Sequence, residues 1–124
     1  MDTIRFISGS FHGILDYAAA IVLIAVPLAL NFQTTSPLAF WLSVAAGILL
    51  VTYSLITDYG LSLVKWIPFN IHLILDAVAG FAFLVAPFLF GFEGLIRWFY
   101  FVNGAMVLLL VIATDPRISR VGNH

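Results

Sequence analysis

The sequence predicts an all-α membrane protein, with four transmembrane helices arranged as two tandem helical hairpins related by a pseudo-twofold axis along the membrane normal. Three observations carry this expectation. Hydrophobic residues make up 63% of the 124 and charged residues 9%, whereas soluble domains are about one quarter charged. So few charges cannot cover a water-facing globule. Four apolar runs each have about the twenty residues needed to cross roughly 30 Å of hydrocarbon at 1.5 Å per residue. Finally, His12-Gly-Ile-Leu-Asp16 returns sixty residues later as His72-Leu-Ile-Leu-Asp76, and each copy is followed by a proline (Pro27, Pro87) and a closing phenylalanine (Phe32, Phe92) at matching positions.

Taken in order, Ser8-Gly9-Ser10 supplies a helix cap, and the first span runs from about Phe11 to Leu30. His12 and Asp16 interrupt its apolar run and no small-residue cleavage site follows, so it reads as a retained helix, not a signal peptide. Asn31 to Pro37 is a polar turn, because the Ser36-Pro37 step disfavours continued helix. The second span covers about Leu38 to Thr57. Residues 59–70 form an interfacial connection, with Lys65 and Trp66 expected at headgroup level and Pro68 as a break. The third span extends from about Asn70 to Phe90, Gly91 to Gly94 turn the chain, and the fourth covers about Ile96 to Ala113.

The second half of each hairpin repeats at an offset of fifty-seven: Trp41 with Trp98, Gly47 with Gly104, Thr57-Asp58 with Thr114-Asp115. The chain thus reads as a single membrane domain over 1–124. Its parts are repeat 1 (about 11–58), the connection, repeat 2 (about 71–115) and a polar tail (116–124). Two spans per repeat give both copies the same membrane direction. Arg5, Lys65, Arg117 and Arg120 fall on one side and Arg97 on the other. The positive-inside rule therefore places both termini in the cytoplasm of a multi-pass inner (plasma) membrane protein.

The segments Tyr53-Ser-Leu-Ile-Thr-Asp-Tyr-Gly60, Lys65-Trp-Ile-Pro68, His72 to Asp76 and Ala86-Pro-Phe-Leu-Phe-Gly-Phe92 resemble the SPW-repeat family. The resemblance implies a small bacterial membrane protein built from duplicated helix pairs, and it implies no biochemical activity. Val26-Pro27-Leu28 and Ala86-Pro87-Phe88 stand where the family carries Ser-Pro-Trp, so only the proline of that motif is kept.

Candidate site residues follow from charge in an apolar setting. Histidine and aspartate four apart share one helix face, and ionisable groups inside a membrane are expensive and so mark function by default. His12, Asp16, His72 and Asp76 are therefore expected to converge across the pseudo-axis. The principal reading is structural: each aspartate accepts a hydrogen bond from a histidine, and the network staples the repeats. The alternatives are a divalent metal such as Zn, Mn or Fe(II), proton or ion handling, and a b-type haem between His12 and His72.

Asp58 and Asp115 oppose the helix dipole at their helix ends, which points to a solvated end or to a partner such as Lys65, Arg117 or a metal. Asn103, the one amide deep in the fourth span, is expected to bond between helices. Pro27 and Pro87 free the carbonyls of Leu23 and Phe83. With no cysteine, thiolate metal sites and iron–sulfur clusters are excluded. A net charge of −1 leaves no broad basic face for nucleic acid. No nucleophile–base set or phosphate-cradling loop supports an enzyme. The expected function is a non-enzymatic membrane module with the lipid bilayer as its partner, and with a second copy or another membrane protein as further candidate partners.

Overall fold

The computed structural model describes residues 6–58 and 62–115. The polar tail, Arg5, Arg117 and Arg120 lie outside the described residues. Among the described residues four long apolar helices form the fold: α1 (Gly9–Ala29), α3 (Pro37–Leu55), α4 (Phe69–Phe90) and α5 (Gly94–Ala113). Their ends differ from the expected spans by a few residues, as helix ends do. One element is new. Residues expected to be only a turn contain a four-residue helix, α2 (Phe32–Thr35), whose Phe32 is buried. It lies in the first hairpin turn, which by the repeat offsets is three residues longer than the second.

Local chemistry sets the ends. Ser8 caps α1 by accepting from the Phe11 amide at 3.1 Å. Ser36 caps α3 by accepting from Ala39 at 3.2 Å, with Pro37 in the first turn where a missing N–H costs nothing. α4 ends on Gly91 at φ 69°, a left-handed cap natural to glycine. The connection after α3 folds back over that helix's end. Leu63 and Val64 amides donate to Leu55 O, and Trp66 and Ile67 amides donate to Ile56 O, satisfying carbonyls that a helix end leaves open.

α1 packs along α3 and α4 along α5, which makes two hairpins. Close approach falls at small residues: Gly47 lies against Ala20 and Ile24, and Gly104 against Gly80. Between hairpins the packing is sparser. At the turn end, Phe32, Ala39 and Phe40 of the first hairpin pack with Ala86, Phe92, Ile96 and Tyr100 of the second, and Tyr100 Oη donates to Ala39 O at 2.5 Å. At the opposite end two short backbone bridges tie the hairpins, Ile7 to Thr114 and Thr57 to Ile67. Large apolar side chains such as Ile21, Phe81, Phe88 and Leu109 are exposed around the outside, as a multi-pass protein facing lipid requires.

Candidate functional site

The bridged end holds the polar cluster. α1 presents His12 and Asp16, α4 presents His72 and Asp76, and all four are buried. Their inward atoms, the two histidine Nε2 and one oxygen from each carboxylate, lie within 4.8 Å of one another. The shorter contacts run between hairpins. His12 Nε2 is 2.8 Å from Asp76 Oδ2 but 3.1 Å from Asp16 Oδ2 of its own helix. His72 Nε2 is 2.7 Å from Asp16 Oδ2 but 3.4 Å from Asp76 Oδ2. The helix register brings each pair to one face, and the bridges bring the faces together.

The outer nitrogens are equally constrained. His12 Nδ1 lies 2.8 Å from Thr114 Oγ1, and His72 Nδ1 lies 2.8 Å from Thr57 Oγ1. Each threonine gives its only hydroxyl proton to the carbonyl four residues back, Leu110 O at 2.6 Å and Tyr53 O at 2.5 Å. A hydroxyl has one hydrogen, so towards the histidine it accepts, and Nδ1 carries the hydrogen. Nε2 is left facing carboxylate oxygen. Two lone pairs do not sit stably at 2.7–2.8 Å, so each short contact calls for a proton between them.

Two aromatic groups complete the surroundings. Phe69 meets both imidazoles, with ring centroids 5.5 Å from His12 and 5.7 Å from His72. Tyr53 packs edge-on against His72 and donates its hydroxyl to Asp76 Oδ1. Asp16 Oδ1 has no such donor and is buried without a hydrogen-bond partner. Further along the helices, Asp16 and Asp76 border a cavity of about 300 Å³ whose wall is otherwise nearly all apolar, including Leu50, Phe83 and Val107.

The family whose sequence profile matches is the SPW repeat domain, over residues 10–114. The chain belongs to that family. The SPW repeat match spans both His/Asp copies and nearly all of the four long helices. No curated protein and no solved structure matches the chain.

Within the SPW repeat fold the expected polar residues separate. His12, Asp16, His72 and Asp76 converge. Asp58 is exposed at the end of the first hairpin. Asp115 is buried, its amide donating to Ile7 O at 2.9 Å, because the segment before α1 covers that end. Asn103 bonds within its own helix, Nδ2 donating to Phe99 O at 2.8 Å. At that point α5 faces the cavity and not a polar neighbour. Of the carbonyls freed by proline, that of Leu23 accepts from Ser43 Oγ at 2.6 Å.

Sequence reasoning missed Thr57, Thr114, Tyr53 and Phe69. The Thr-Asp repeat carries a signal for the threonines, but the aspartate is the charged and more conspicuous member of each pair. A haem does not fit between the histidines: Asp16 Oδ2 and Asp76 Oδ2 are each within 3.4 Å of both Nε2 atoms, filling the space a macrocycle would need.

Proposed function

We infer that the protein is a non-enzymatic integral membrane module, a single membrane domain whose two hairpins are joined by the His12/Asp16/His72/Asp76 ring. The observation that supports this reading is the crosswise pattern, in which each histidine stands nearer the aspartate of the other hairpin than its own. The direction of the bonds decides what they do. A bond within a helix adds little to association, whereas one between hairpins is lost when they part. Burying a lone aspartate at the centre of a membrane helix costs about 2.5–3.5 kcal/mol on insertion scales. Pairing the hairpins removes that cost for both carboxylates at once. The hairpins are related by a pseudo-twofold axis along the membrane normal. Both termini and the 62–68 connection face the cytoplasm, in keeping with the Lys/Arg distribution.

Thermal melts in detergent test the structural role. Asp16→Asn keeps an oxygen that accepts from the histidines and should cost less than a substitution that removes the acceptor. Asp16→Leu leaves His72 without its near carboxylate, the other lying 3.4 Å away, and should cost about 3–5 kcal/mol, the range for breaking a buried charged pair. Equal melting temperatures for wild type and Asp16→Leu would remove the structural role.

A further inference from the structure

We propose that the His/Asp ring is a binding site for one divalent transition-metal ion of the zinc class, held by His12 Nε2, His72 Nε2 and one oxygen each from Asp16 and Asp76. This rests on the reading of the ring as the joint between hairpins and names what makes the joint.

Five observations converge on it. The donor set, two imidazole nitrogens and two carboxylate oxygens, suits zinc and its first-row neighbours. It is poor for Mg²⁺ or Ca²⁺, which prefer six or more oxygens, and for Cu(I), which prefers sulfur. The tautomers are already set, since Thr57 and Thr114 hold both Nδ1 hydrogens and leave both Nε2 lone pairs pointing inward. Orientation of ligating histidines through their other nitrogen is the usual outer support of a metal site.

Size and charge agree. Tetrahedral bonds of about 2.0–2.2 Å put neighbouring donors roughly 3.3–3.6 Å apart. The ring edges are 2.7, 2.8, 3.1 and 3.4 Å, so the longest already matches and the shortest lengthens by roughly 0.6–0.9 Å as an ion enters. Two carboxylates and one M²⁺ sum to zero with neutral imidazoles, so the ion adds no net charge to the membrane interior. Lastly, the carboxylates are unequal. Tyr53 holds Asp76 Oδ1, while Asp16 Oδ1 is buried with no partner. Asp16 is therefore the ligand free to turn, or to offer both oxygens, as an ion enters. All four positions come from protein, which is the closed arrangement of a structural metal site.

The test is titration of Co²⁺ and Zn²⁺ into the full chain in detergent after chelation, with Co²⁺ read by its visible spectrum. The expected result is one ion per chain, the intense visible bands of tetrahedral Co²⁺, displacement of Co²⁺ by Zn²⁺, and a melting temperature that rises with metal. His72→Gln should abolish the bands. Thr57→Val should weaken binding 10–100-fold while leaving the band shape unchanged, because it removes the support and not a ligand. Absence of a stoichiometric tetrahedral Co²⁺ spectrum in folded wild type overturns the metal site. If Asp16→Leu still melts lower than wild type in chelator, the hairpin joint stands without the ion. If it does not, and the Co²⁺ spectrum is absent as well, both readings fall.

Discussion

Tyr53 is the residue that breaks the symmetry of the ring. It donates to Asp76 Oδ1 from the first hairpin, and at the offset of fifty-seven its counterpart is Leu110, which has nothing to donate. Asp16 Oδ1 is accordingly the orphaned atom. Tyr53→Phe should lower stability by about 1–3 kcal/mol, the cost of leaving a buried acceptor unpaired. Conversely, Leu110→Tyr should supply the missing donor and raise the melting temperature, while Leu110→Phe, matched in size, should not. A denaturation series on the three variants checks this, and a Leu110→Tyr that melts like Leu110→Phe contradicts it. At this scale the sequence was partly legible. Charge in an apolar run singles out His12, Asp16, His72 and Asp76, because that pattern is one-dimensional. The threonine hydroxyls and Tyr53 were not legible, because such groups are common in membrane helices and their role depends on which atom another helix brings within 3 Å.

At the scale of elements, the close helix pairs rest on glycine. A Cβ on Gly104 would lie 2.7 Å from Gly80 O, a backbone atom that cannot swing aside. A Cβ on Gly47 would meet Ile24 Cγ1 at 2.7 Å, where a side chain can move, and Ala20 O at 3.0 Å. Gly104→Ala should therefore cost more than Gly47→Ala, within the roughly 1–3 kcal/mol typical of overpacking. Thermal melts of the two variants side by side decide it, and the reverse order would show that the α4–α5 contact is not the tighter one. The repeat made both glycines visible as a matched pair, and the apolar runs gave all four spans to within a few residues. The short helix at Phe32–Thr35 escaped notice because Gln33, Thr34 and Thr35 are polar and only the burial of Phe32 explains why the segment coils inward.

For the whole molecule, the two ends are held differently: an apolar cluster at the hairpin turns and a polar ring beneath two backbone bridges at the other end. If both termini are cytoplasmic, reporter fusions at Gln33 and at the C-terminus should report opposite sides of the membrane, and the same side for both would contradict the four-span topology. The duplication was legible in the sequence because His, Asp, Pro, Trp and Thr-Asp recur in order. The crosswise pairing was not, since the repeat is equally compatible with each histidine bonding its own aspartate. That pairing is tested most directly by a double-mutant cycle on His72 and Asp16, 2.7 Å apart and on different hairpins, measured by equilibrium unfolding in chelator. A joint between hairpins predicts a coupling energy of about 1–3 kcal/mol, whereas additivity within about 0.5 kcal/mol would contradict it.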